Sequence, residues 1–116
     1  MRMNKNGRYD NRDQDEYPPT DQEMLIHSVE EFLLLMRQGE ILLNRLSDRS
    51  FSKIIMEEAQ KGNQKEVDEQ IKTIEGLFVP TTIKYTPSGI IFNLASPAIS
   101  KGEDCCILNM TLKWGE

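Results

Sequence analysis

The sequence has few of the residues that catalytic and metal sites use. It contains one histidine, His27, and two cysteines, which adjoin each other as Cys105 and Cys106. Its seven glycines stand singly, so no phosphate-binding loop is present. The carboxylates are spread along the outer faces of predicted helices, where solvation accounts for them. We therefore predict a protein that is not an enzyme, with no catalytic residues, no metal site and no cofactor.

The sequence also lacks an excess of positive charge and a long apolar run. Its 14 basic and 19 acidic residues give a net charge of −5, which disfavours binding to nucleic acid or to an anionic membrane. No apolar stretch approaches the roughly 20 residues of a membrane span. Residues 1–17 contain no stretch of the secretory-signal type. We therefore expect a cytoplasmic location.

Residues 1–19 have the composition of a polar tail. Four basic and four acidic side chains precede Tyr17, and two methionines and Tyr9 are the only apolar groups among them. Such a segment buries too little surface to offset the entropy lost on ordering. The predicted organisation is a disordered tail over residues 1–19 and a single domain over residues 20–116.

Residues 20–46 form the longest predicted element, an α-helix. Thr20 followed by Glu23 has the spacing of a capping box, and Pro18 and Pro19 prevent an earlier start. At 100° per residue, one narrow apolar face is the predicted core face. Its members are Leu25, Val29, Phe32, Met36 and Leu43, flanked by Ile26, Leu33, Leu35, Leu42 and Leu46.

A second apolar seam interrupts the polar face of this helix. Leu34 and Ile41, seven residues apart, lie there among Glu30, Glu31, Arg37, Gln38 and Arg45. A helix with two apolar faces needs two neighbours, so the seam indicates a protein partner or a second copy of the chain. The alternative is that the sheet or the tail covers both faces.

Two shorter helices should follow. Asp48 or Ser50 is a suitable N-cap for the first, and Asn63 with Glu66 repeats the capping-box spacing for the second. Gly62 and Gly76 are natural helix stops. The predicted inward faces consist of Phe51, Ile54, Ile55 and Ala59 in the first helix, and Val67, Ile71 and Ile74 in the second.

After residue 76 the apolar period changes to two, which is typical of strands. Residues 79–85, 90–94 and 105–114 predict three strands in an antiparallel meander. Thr86-Pro87-Ser88-Gly89 joins the first two, with Gly89 supplying a positive φ, and residues 95–104 form a loop. The predicted fold class is α+β, with three helices packed on a three-stranded antiparallel sheet.

The cysteine pair is placed in the last predicted strand. Adjacent side chains of a strand point to opposite faces, so the two sulfurs should neither share a metal nor form a disulfide easily. Cys106 is then a core residue and Cys105 a thiol on the outer face or near an edge, available for an intermolecular disulfide. The outer sheet face, with Ile91, Ile107 and Thr111, is more apolar than solvation requires.

Several motifs together resemble a small protein family. They are YPPTD, EILLNRL, YTPSGIIFNL and CCILNMTLKW, spread over residues 17–114. The family comes from spore-forming Gram-positive bacteria and has no assigned biochemical activity. The resemblance implies a cytoplasmic or forespore protein that is spore-associated, and it transfers no functional residue to this chain.

The prediction is a non-catalytic interaction or structural protein that acts through the long helix and the sheet surface, with a homodimer as one form. The predicted interaction residues are Leu34, Ile41 and Cys105. The alternative is a small ligand-binding or regulatory domain with a pocket between the helices and the sheet.

Overall fold

The computed structural model describes residues 20–103 and 105–115, and the predicted tail lies outside them. Within these residues, three α-helices precede three strands, and a 3-10 helix (Pro97–Lys101) lies between the last two strands. The predicted α+β class is confirmed. The elements are α1 (Gln22–Leu46), α2 (Arg49–Gln60), α3 (Gln64–Lys72), β1 (Thr81–Thr86), β2 (Gly89–Ala95) and β3 (Ile107–Lys113).

Each helix begins at a residue whose side chain accepts hydrogen bonds from the first turn. The N-cap of α1 is Asp21, which accepts from the N–H of Glu23 at 2.9 Å, so the prediction of Thr20 was one residue off. Asp48 caps α2 and Asn63 caps α3, as predicted. Short polar side chains at these positions satisfy N–H groups that have no partner within the helix.

The cap of α2 has an electrostatic signature. The backbone N–H groups of Phe51 and Ser50 donate hydrogen bonds to the Asp48 carboxylate, and these bonds lower its pKa. Arg45, 3.1 Å away at the end of α1, acts in the same direction. Asp48 therefore fixes the turn between α1 and α2 from both sides.

The predicted core face of α1 is wrong. Leu25, Val29, Met36 and Leu43 are exposed, and of that set only Phe32 packs against the core. The buried residues of α1 are Leu35, Gln38, Gly39 and Leu42. A face with a glycine becomes the contact face because the sheet approaches most closely there: a Cβ on Gly39 would lie 3.0 Å from Cδ2 of Leu108.

Two polar residues assigned to the outer face of α1 contact the protein instead. The side-chain amide of Gln38 donates to the carbonyl of Gly76 at 2.9 Å. Its carbonyl oxygen accepts from the N–H groups of Phe78 at 2.8 Å and Val79 at 3.3 Å. Glu31 accepts a hydrogen bond from the hydroxyl of Ser96, which is fully buried at the end of β2.

The inward faces of the two short helices are largely as predicted. Phe51, Ile55 and Ala59 of α2 are buried, but Ile54 is exposed. Val67 and Ile71 of α3 are buried, and so is Ile74, which lies in the turn beyond the helix. These residues join Leu35, Leu42 and the inner sheet face in one core.

The sheet has the predicted meander topology, in the order β1-β2-β3 with antiparallel pairing. Ile90, Phe92 and Leu94 of β2 form its buried centre. In β3 the residues alternate between half-buried and exposed, as predicted, although the strand begins at Ile107, two residues later than expected. The sheet therefore offers one face to the helices and the other to solvent.

Gly89 does not have the positive φ that the turn pattern predicted. Among the described residues, the positive-φ glycines are Gly62, Gly76 and Gly102. Thr86 pairs directly with Gly89. Glycine is needed there for space, because a Cβ would lie 2.5 Å from the carbonyl oxygen of Leu112 in β3.

We expect Gly89→Ala to separate β2 from β3 and to destabilise the fold. The added methyl group meets backbone that cannot rotate away, and overpacking of this kind costs roughly 1–3 kcal/mol. Urea unfolding measures the loss. Ser88→Ala, at the exposed turn position beside it, is the control and should change the free energy of unfolding far less. Equal midpoints for the two variants would contradict the close approach.

Candidate interaction surface

The face of α1 opposite the predicted apolar seam of Leu34 and Ile41 carries a band of exposed apolar side chains. We call it the α1 stripe, and its members are each between 42 and 63% exposed. Monomeric proteins rarely expose contiguous apolar patches of this kind without an interaction to cover them. The α1 stripe comprises Leu25, Ile26, Val29, Leu33, Met36 and Leu43.

The α1 stripe continues into a groove between α1 and β3. Leu108 and Met110, on the inner face of β3, are half-buried and line the groove together with residues of α1. Gly39 forms the floor, because its missing side chain lets the strand approach. Arg37 and Glu40 are the charged groups at the rim. The surface is thus apolar at its centre and charged at its border, as protein interfaces are.

Strand β3 lies at the edge of the sheet. Within the described residues it pairs with β2 on one side, and no strand pairs with its other side. An edge strand presents unpaired backbone donors and acceptors that a partner strand can use. The exposed Ile107 at its start adds apolar area on the outer sheet face.

The predicted interaction seam of α1 has a mixed environment. Ile41 is half-buried and packs against the core, with its Cδ1 3.5 Å from the position of a Cβ on Gly76. Leu34 is also half-buried. Ile41 is therefore partly used by the fold itself, while both residues stay a prediction as interaction residues.

The two cysteines precede β3 and are half-buried. The alternation rule does not apply to them, because neither lies in the strand, and the structure places their two sulfurs side by side. The expectation that the sulfurs point apart is thus wrong. Both sulfurs approach the carbonyl oxygen of Ser28 in α1, at 3.9 and 3.7 Å. As an interaction residue, Cys105 stays a prediction.

No constellation of catalytic or metal-binding type emerges from the described residues. His27 is exposed, and its Nε2 lies 3.2 Å from Oε1 of Glu103. Residues 20–103 and 105–115 contain no group of three or more acidic, histidine or cysteine side chains that could hold a metal ion. In the same ranges, every helix is too short or too polar to cross a bilayer.

A cleft lies where the alternative prediction placed a pocket, between α2 and one end of the sheet. Met56, Tyr85 and Trp114 form its apolar walls. The rings of Tyr85 and Trp114 have centroids 6.4 Å apart. The indole N–H of Trp114 donates to the carbonyls of Thr86 and Pro87, which holds the ring at the cleft.

The comparison with protein families decides the biological setting. A family model described as "YuzC spore coat inner layer protein" matches residues 22–107, well over half of the chain. The chain belongs to the YuzC family. The match confirms the resemblance to a small family of spore formers and makes the protein spore-associated. Comparisons with curated proteins and with solved structures give no significant match.

The YuzC match spans α1, α2, α3, β1 and β2 and ends at the first residue of β3. It therefore includes the α1 stripe, for which apolar periodicity predicts a core position. The available signal was Gly39 together with Leu35 and Leu42, since a small residue on a helix face allows close packing. Apolar periodicity alone did not weigh a glycine as an inward-facing residue.

Proposed function

We propose that this YuzC-family protein is a non-catalytic structural component of the spore coat and acts through protein–protein contact. The α1 stripe and the adjoining groove of β3 are its docking surface. The observation that carries the proposal is the exposure of six large apolar side chains along one helix. The description of the family as an inner-layer coat protein supports the assembly role.

The energetic argument favours a protein partner for this surface. Fully burying a leucine-sized side chain contributes roughly 1.5–3 kcal/mol, and the six residues are each about half exposed. Their burial would offset much of the entropy lost on association.

The test is the position of a fluorescent fusion in a sporulating host. The wild-type protein should form a ring at the spore periphery and remain there after a high-salt wash. Leu33→Glu combined with Met36→Lys should leave the fluorescence diffuse, because it places two charges in the centre of the docking surface. Retention of the ring by this variant would refute the proposal.

A matched control uses the exposed side of α2. Lys53→Glu combined with Glu57→Lys also exchanges two exposed helical side chains without altering net charge, and it lies away from the stripe. This variant should localise as the wild type does. A loss of localisation in both variants would point to misfolding, which circular dichroism of the purified proteins would detect.

The second candidate function is binding of a small ligand in the cleft beside Trp114. The aromatic walls favour it, since apolar concave sites with aromatic linings bind small molecules. Trp114 is the single tryptophan of the chain, so its fluorescence reports directly on the cleft. Quenching by a panel of small aromatic compounds, abolished by Met56→Lys, would establish this function. Unchanged fluorescence across the panel would remove it.

A further inference from the structure

We propose that the partner of the α1 stripe is a second copy of this chain, docked with its α1 antiparallel. The inference rests on the proposed function, in that it uses the same docking surface, and it names the occupant. It starts from the spacing of the exposed side chains. Five of them follow alternating steps of three and four residues, interrupted once by Glu40: Ile26, Val29, Leu33, Met36 and Leu43.

This spacing is the heptad pattern of a helix that packs along another helix. Ile26, Leu33 and Glu40 occupy one core position of the heptad, and Val29, Met36 and Leu43 the other. All the apolar members are exposed in the single chain. This part of the α1 stripe keeps its spacing over nearly three heptads and is not used within the described fold. It therefore fits a long helix as its partner.

The charged residues beside the α1 stripe favour an antiparallel orientation of the two helices. Glu30 and Arg37 hold the equivalent flanking position in successive heptads, and both are exposed. Neither forms a salt bridge with any described residue. An antiparallel pair, with its two-fold axis near residues 34 and 35, sets Glu30 opposite the partner's Arg37, and Arg37 opposite the partner's Glu30. A parallel pair would not bring these opposite charges together.

The same two-fold axis matches the apolar residues. Leu33 faces the partner's Met36, and Ile26 faces the partner's Leu43. The remaining layer sets Glu40 against the partner's Val29, where the carboxylate reaches solvent at the rim through its flexible stem. A surface that meets its own copy in this way is isologous, as a two-fold interface requires.

The available area agrees with a weak dimer. Helix α1 has 25 residues, so it is about 37 Å long and about 10 Å wide. That face covers about 370 Å², and Leu108 and Met110 add a strand segment about 7 Å long. The footprint is therefore roughly half of the ~800 Å² per partner of a standard interface, which predicts a weak, concentration-dependent dimer.

Sedimentation equilibrium of the purified chain under reducing conditions tests the proposal. The wild type should be a concentration-dependent dimer. Leu33→Glu combined with Met36→Lys should raise the dimer dissociation constant by roughly a hundredfold while keeping the helical circular dichroism. Glu40→Leu should lower the dimer dissociation constant by roughly tenfold, because it removes the one charge at a core position of the heptad pattern. A wild type that stays monomeric at high concentration would overturn the proposal.

Charge reversal tests the orientation on exposed side chains, so that loss of folding cannot imitate the result. Glu30→Arg or Arg37→Glu alone should weaken the dimer by about tenfold, because each creates two like-charge contacts. The double variant should recover the wild-type constant. Additive weakening in the double variant would exclude the antiparallel pair.

The outcomes separate this inference from the proposed coat function. Suppose that the chain dimerises through the α1 stripe, but the variant with Leu33→Glu and Met36→Lys still reaches the coat. The inference then stands and the proposed function fails. If the wild type is monomeric and the variant with Leu33→Glu and Met36→Lys is lost from the coat, the docking surface stands and its occupant is another protein.

Discussion

Leu35→Ala should destabilise the protein by about 2–5 kcal/mol, whereas Met36→Ala, one residue further along α1, should cost much less. Leu35 is 0% exposed in the single chain and Met36 is 54% exposed. Truncation of Leu35 removes buried methyl groups and leaves a cavity between the helix and the rest of the core. Truncation of Met36 removes atoms that already contact water.

Chemical denaturation, measured at protein concentrations low enough to avoid association, compares the two variants. The pair is a direct test of which face of α1 meets the core, because the two positions differ by 100° around the helix. The reverse order of stabilities would restore the face that apolar periodicity predicts, with Met36 inside. It would also remove the basis for the docking surface.

Gln38→Leu should be nearly as damaging, although leucine is apolar and of similar size. Gln38 is buried and makes three hydrogen bonds to the backbone of Gly76, Phe78 and Val79. The leucine side chain would leave these groups without their partner, and each unsatisfied buried group costs roughly 1–3 kcal/mol. We expect a total loss of about 2–5 kcal/mol, since water can reach part of the segment and compensate.

Gln60→Leu is the matched control, because Gln60 is an exposed glutamine near the end of α2. It should leave the unfolding midpoint nearly unchanged. The stability lost in Gln38→Glu should lie between the losses in Gln38→Leu and Gln60→Leu. A carboxylate still accepts from the N–H groups of Phe78 and Val79 but cannot donate to the Gly76 carbonyl. A stable Gln38→Leu protein would show that the hydrogen bonds contribute little.

Most of the fold could be predicted from the sequence because its local signals agree with one another. The caps Asp48 and Asn63, the change from helical to strand period after Gly76, and the alternation in β3 depend on neighbours in sequence. These signals act within a few residues, so a sequence pattern contains them. The meander follows from short connections between successive strands.

The orientation of α1 could not be predicted from periodicity, because apolar residues occupy most of its circumference. What decides the orientation is the closest approach of helix to sheet at Gly39 and the hydrogen-bonding partners of Gln38. Both depend on residues 38 to 71 positions away in the sequence. A helical wheel places glycine and glutamine on the outward face. The core face that it predicts for α1 therefore differs from the observed one by about a quarter turn.

The candidate interaction surface could likewise be predicted from the sequence only in part. The excess of apolar surface on α1 could be predicted from the sequence, because apolar residues occupy most of the circumference of the helix. Leu34 and Ile41 stay a prediction as interaction residues, while the exposed band on the other flank of α1 follows from the orientation of the helix. The adjacency of the Cys105 and Cys106 sulfurs could not be predicted, because the strand begins only at Ile107.

The bonds of Gln38 also bear on how the domain unfolds. They join α1 to the segment that leads directly into β1, across separations of 38 to 41 residues. A helical fragment cut before residue 76 would lose the partners of a buried amide, and an isolated sheet would lose the cover of its inner face. Neither half is then a module in its own right, and the thermal transition should be cooperative, with helix and sheet signals disappearing together.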